Sequence, residues 1–121
     1  LNKRVVVEEA TGTWCGWCPR GTVWMENLQD TYPENFIGLA VHNGDPMVYE
    51  DYDVGIGGLI SGYPSAVVDR GSDIDPSAME TDLLQRVVLN AAAAICISAK
   101  MDMEEMDKMD VIVTVQWIIS W

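Results

Sequence analysis

Cys15 and Cys18 stand in the segment Cys-Gly-Trp-Cys. Two intervening residues bring the second sulfur about one helical turn from the first, close enough for a disulfide. Pro19 follows directly, and proline is tolerated in the first turn of a helix, where its missing N–H costs nothing. The pattern predicts a helix from Cys15 to about Tyr32. The first turn of a helix carries unpaired N–H groups and a partial positive charge. Both stabilise a thiolate and lower a cysteine's pKa. Cys15, at the open end, is then the attacking thiolate. Cys18, pointing back along the helix, is the resolving thiol that releases a mixed disulfide.

The other reactive side chains form no second centre. A zinc site needs four ligands, and only Cys96 and His42 remain beside the pair, so no metal is expected. His42 ends a predicted strand. It is either a hydrogen-bonded loop histidine or, because carboxyl ends of strands collect functional groups in open α/β sheets, a neighbour of the dithiol. Cys96 lies in Ala-Ile-Cys-Ile and reads as a small buried apolar residue. Met101, Met103, Met106 and Met109 are irregularly spaced among acids and read as a solvated loop, not a thioether site. Gly55-Ile56-Gly57-Gly58 lacks the Lys-Ser/Thr of a phosphate loop. No cofactor is implied.

The elements that must position the dithiol are legible around it. Val5-Val6-Val7, within Arg4–Glu8, reads as a strand buried on both faces. In the first helix, Trp24, Met25, Leu28 and Tyr32 recur at helical spacing, and Tyr32-Pro33 ends it. Phe36–His42 is a second strand, so the start of the chain is a βαβ unit with parallel pairing. A short helix from Pro46, an irregular glycine-rich stretch over Val54–Gly62 and a third strand, Ser65–Asp69, follow. Asp75-Pro76 starts a helix whose face is Met79, Leu83, Leu84, Val87 and Val88. Ala93–Ala99 and Val111–Ser120 form a hairpin across an acidic loop. That hairpin either closes the sheet or begins a second β domain, with Trp117 and Trp121 on a packed face.

Val5 to Pro19, with Trp14 before the first cysteine, resembles the active-site strand, loop and helix of thioredoxin-fold oxidoreductases. Tyr63-Pro64-Ser65-Ala66-Val67-Val68-Asp69 resembles that family's second signature. More narrowly, Thr-Gly-Thr-Trp-Cys-Gly-Trp-Cys-Pro-Arg-Gly and Ala-Val-His-Asn-Gly-Asp-Pro-Met look like thioredoxin-like domains of Bacteroidetes cell-envelope proteins, which tend to be followed by β-rich domains. The resemblance implies an α/β thioredoxin-like fold, a central mixed sheet flanked by helices, over residues 1–92. The hairpin, residues 93–121, is then an addition or the start of a truncated β-rich domain. It implies Cys15 as nucleophile, Cys18 as resolving thiol, and Pro64 as a cis-proline beside the dithiol that presents the Tyr63 backbone to an extended peptide. Glu9, six residues before Cys15, falls where thioredoxins place a buried acid; Glu8 points to the opposite face. Trp14, Trp17, Tyr63 and His42 are the expected substrate contacts. Two departures stand out: Gly-Trp replaces Gly-Pro between the cysteines, and Glu replaces the usual Asp.

With 7 Lys+Arg against 19 Asp+Glu, the net charge is −12. A nucleic-acid partner is excluded by sign, and an anionic membrane surface is disfavoured. No run is long enough to span a bilayer. The expected partners are protein thiols and disulfides and a redox partner. The expected location is extracytoplasmic, in the periplasm or an outer-membrane-associated envelope, as a mature piece or lipoprotein domain whose signal lies outside this chain. The alternative to catalysis is a non-catalytic thioredoxin-like binding module with an inert disulfide.

Overall fold

The computed structural model describes residues 3–118. The expectations that touch Leu1, Ser120 and Trp121 lie outside those residues. The chain divides into two compact units, Leu1–Leu89 and Asn90–Trp121.

In the first unit, strand β1 (Val5–Thr11) is central, flanked by β2 (Phe36–His42) and β3 (Ser65–Val68) in the order β2-β1-β3. β1 pairs parallel with β2, Val5 against Phe36 through Thr11 against His42. It pairs antiparallel with β3, Val7 against Val68 through Ala10 against Ser65. The sheet is therefore mixed. Ile74 extends its edge by bridging Ala66. β1 is β-branched and almost wholly buried, the signature of a strand covered on both faces.

Helix α1 (Pro19–Thr31) is the crossover between β1 and β2. Cys18 is its N-cap and Pro19 its first residue, so it begins four residues later than the predicted start at Cys15. The reason is local: Cys15 N–H donates to Gly12 O and Cys18 N–H to Cys15 O, which uses residues 12–18 in turns. α2 (Glu50–Gly57) also departs from expectation. Pro46 does not start it, because Asp45 accepts from Met47 N–H and Val48 N–H and closes a turn there. It runs through Val54–Gly57, expected to be irregular, because Ile56 is fully buried against Ala10, Val41 and Val67. Packing outweighs the glycines' poor propensity. β3 stops at Val68, since Asp69 and Arg70 take positive φ in the turn. Asp75 caps a 3-10 turn, Pro76–Ala78, before helix α3 (Met79–Val87).

The core lies on both sides of β1. Val5 and Val7 pack with Leu28 of α1 and Met79 and Leu83 of α3; Ala10 packs with the α2 cluster. Each fully buried large side chain contributes about 1.5–3 kcal/mol. Leu84 and Val88, expected on the α3 core face, are exposed, because one face of a nine-residue helix is filled by Met79 and Leu83.

In the second unit, β4 (Ala93–Met101) and β5 (Met109–Trp117) form their own two-stranded antiparallel sheet. Cys96 is exposed rather than buried. It pairs with Thr114, on the face that also carries Ser98 and Lys100, and a lone hairpin has no layer of its own to bury a face. No helix among the described residues is long and apolar enough to cross a membrane.

Candidate active site around Cys15 and Cys18

Cys15 and Cys18 are joined in a disulfide, with their Cα atoms 5.4 Å apart. Both are buried, Cys15 at 8% exposure and Cys18 at 2%, so Cys15 is the more accessible residue of the pair. Three loops at one end of the sheet hold the pair. The Gly12–Cys18 turn carries it. The Asn43–Met47 loop follows β2, and the Tyr63–Pro64 loop, whose peptide bond is cis, enters β3.

Trp14 joins these loops. Its Nε1–H donates to Asn43 O at 2.7 Å, and its ring meets Tyr63 edge-on with centroids 5.3 Å apart. Gly12 is required for this: a Cβ there would come to 2.5 Å from Nε1 of the Trp14 indole. Trp17 is largely exposed. Two grooves of about 420 Å³ each flank the turn. One is lined by Trp17, Arg20, Tyr63, Pro64, Asp73 and Asp75 among others. The other is lined by both cysteines, His42, Thr11, Gly12 and Thr22 among others. Of the expected contacts, Trp17, Tyr63 and Pro64 thus meet in the first groove and His42 in the second.

Glu9 lies beneath, 1% exposed. Burial pushes its carboxyl up to about 7, with His42 pulling weakly the other way. Its Oε1 has no hydrogen-bond partner among the described residues. That oxygen occupies the position a Cβ would take at Gly21 of α1. Glu8 is on the other face, its oxygens held by Tyr52 and Arg70.

Asp45, which the sequence reading did not single out, ties the Asn43–Met47 loop to the dithiol turn and to His42. Its Oδ2 accepts from Thr13 N–H at 2.9 Å and lies 2.6 Å from His42 Nδ1, while Oδ1 accepts from Met47 N–H. The histidine contact, reinforced by the two N–H groups, holds this carboxyl down to about 2. The His-Asn-Gly-Asp-Pro spacing carried a signal, since aspartate before proline in a glycine-containing turn commonly bonds its own loop. Arg20 and Asp75 also went unremarked as a pair; their bidentate contact, 2.7 and 2.8 Å, ties the start of α1 to the 3-10 turn. No group of three or more His, Cys, Asp or Glu side chains suited to a metal occurs among the described residues.

No family model and no curated protein matches the sequence. Solved structures do. HBP35 of Porphyromonas gingivalis is similar over 82% of this chain, with a TM-score of 0.65 and 24% identity; this chain spans 38% of the length of that one. A thioredoxin of Malassezia sympodialis is similar over 72% of this chain and 78% of its own, TM-score 0.54, 24% identity. A malarial protein is similar over 72% of this chain and all of its own, TM-score 0.51, 15% identity. The fold is thioredoxin-like, with a C-terminal two-stranded hairpin added.

Proposed function

We propose that this chain is a thiol–disulfide oxidoreductase domain acting on protein disulfides in the cell envelope. The observation that carries the reading is the Cys15–Cys18 disulfide directly before α1, with Cys15 the more exposed residue, the Tyr63–Pro64 loop bordering the same turn, and the buried Glu9 carboxyl packed against α1 at Gly21. The envelope location rests on the motif resemblance to Bacteroidetes envelope domains.

The reduced pair reacts in two steps. Cys15 thiolate attacks a substrate disulfide; the Cys15–substrate bond forms as the substrate S–S bond breaks, and the second substrate sulfur leaves as a thiolate and is protonated. Cys18 then gives its proton to Glu9, whose pKa near 7 leaves it partly ionised at neutral pH. Cys18 attacks Cys15 Sγ, re-forms the observed disulfide and expels the first substrate sulfur. Two electrons pass to the substrate. With an oxidising partner the same steps run in reverse.

Insulin reduction or oxidative refolding tests this. Cys15→Ser should abolish both, and Cys18→Ser should accumulate mixed disulfides at Cys15. Full activity in Cys15→Ser removes the reading. The low exposure of both sulfurs favours one competitor, an inert structural disulfide in a binding module. Rapid alkylation of Cys15 alone after mild reduction speaks for catalysis; resistance of both sulfurs to reduction and alkylation speaks for the module.

A further inference from the structure

We propose that His42, oriented by Asp45, donates the proton to the sulfur that leaves the substrate disulfide when Cys15 attacks. This rests on the oxidoreductase reading and assigns a second proton route to the same site, separate from Glu9.

The register places it. Thr11 pairs with His42 across the parallel ladder, and Glu9 is two residues before Thr11 on the same strand, so Glu9, Thr11 and His42 share the α1 face of the sheet. From there His42 lines the groove that both cysteines line. Glu9 is fully buried and lines neither groove, so it cannot meet a substrate atom. Among the residues lining the groove, Thr11, Gly12, Thr13, Pro19, Thr22 and Val23 have no group that releases a proton near neutral pH. His42 carries the one imidazole among the lining residues, the side-chain type suited to general acid work.

The ring is also fixed. Its side chain is 15% exposed and that of Asp45 only 2%, so neither swings freely. Asp45 is an ionised acceptor, hence His42 Nδ1 carries the hydrogen in that contact. Nε2 is left as the nitrogen that takes and gives the catalytic proton. The loop does not need the imidazole to hold its place, because Asp45 already binds Thr13 N–H and Met47 N–H, and Asn43 N–H donates to Thr11 O.

His42 imidazolium gives its Nε2 proton to the departing alkyl thiolate as the substrate S–S bond breaks and the Cys15–substrate bond forms. His42 becomes neutral, keeps its Nδ1–H on Asp45 Oδ2, and is reprotonated from solvent. An alkyl thiolate, with a pKa of about 8.5, leaves slowly unless protonated. An aromatic thiolate leaves without help.

That difference is the test. The reduced chain is mixed in single turnover with oxidised glutathione, an alkyl disulfide, and with 5,5′-dithiobis(2-nitrobenzoate), an aromatic one. His42→Gln should lose about a hundredfold or more with glutathione disulfide, the scale of general acid catalysis, and less than about twofold with the aromatic disulfide. Asp45→Asn should show a selective loss in the same direction, since a carbonyl kept on Thr13 N–H also faces His42 Nδ1 but lacks the charge that favours the imidazolium. Equal loss with both disulfides, or no loss with either, overturns the proposal and leaves the dithiol chemistry standing. A wild type inert toward both disulfides overturns the oxidoreductase reading, and this assignment with it.

Discussion

The carboxyl group of Glu9 fills the space in front of Gly21, so close that a Cβ at position 21 would lie 2.8 Å from its carboxyl carbon and overlap Oε1. Strand β1 and helix α1 approach here because one partner has no side chain. Gly21→Ala therefore sets two effects against each other. Alanine gains about 1 kcal/mol of helix propensity, and overpacking a buried group costs about 1–3 kcal/mol. The expected net is a modest loss of stability in urea unfolding. In a Glu9→Ala background the clash is gone, and Gly21→Ala should become neutral or stabilising. An unchanged penalty in both backgrounds would remove the steric coupling.

Glu9 also makes stability depend on pH. Its carboxyl sits at about 7 in the folded, oxidised protein against an ordinary 4.5, because burial disfavours the charge. The folded state then holds its proton more tightly than the unfolded chain. Stability is at its full value below pH 4.5, declines as pH rises from 4.5 towards 7, and levels off above. The shift corresponds to a difference on the order of 3 kcal/mol. Glu9→Gln should abolish this part of the slope, so the variant gains on wild type between pH 5 and 8 in urea titrations. It should also slow resolution of the mixed disulfide more than its formation. Parallel stability curves for the two proteins would show that Glu9 is not the titrating group.

Much of this was readable before any coordinates. The cysteine pair, Pro19 and the β-branched run of β1 each follow from local chemistry, and the βαβ order follows from them. What failed needed the third dimension. The helix start slipped from Cys15 to Pro19 because turns at Gly12–Cys18 used those N–H groups. Leu84 and Val88 continue a helical apolar pattern, yet only Met79 and Leu83 meet the sheet. Cys96 sits in an apolar run that is exposed in a two-stranded hairpin. Asp45 and Gly21 matter through residues distant in sequence or on another element, Thr13 and Glu9, which no spacing rule reports.

The contrast between Leu83 and Leu84 gives a direct check on the core. Leu83 is fully buried with Val5, Val7 and Met79, and Leu84 is 44% exposed. Leu83→Ala should cost about 2–5 kcal/mol by lost burial and a cavity. Leu84→Ala should change stability by about 0.5 kcal/mol or less. The urea midpoints of the two variants, read at one slope, distinguish this packing from one in which α3 is rotated by a residue.

On the opposite face of β1, Glu8 tests whether the two sides are chemically independent. Its side chain is 4% exposed; Arg70 Nε–H donates to Oε1 and Tyr52 O–H to Oε2, both at 2.6 Å. Burial, and then the bond to Glu8, push the Tyr52 phenol up to about 12, so it remains a donor across the ordinary pH range. Arg70→Met strands a buried carboxylate on one partner and should destabilise the fold by about 1–3 kcal/mol. Most of that loss is the unpaired charge, so Glu8→Gln should recover a large part of it in the Arg70→Met background. The rate with glutathione disulfide should stay at the wild-type value throughout, because Glu8, Arg70 and Tyr52 line neither groove at the dithiol. A tenfold change in that rate would mean that the α2 face communicates with the cysteines through β1, and the separation of the two faces would have to be abandoned.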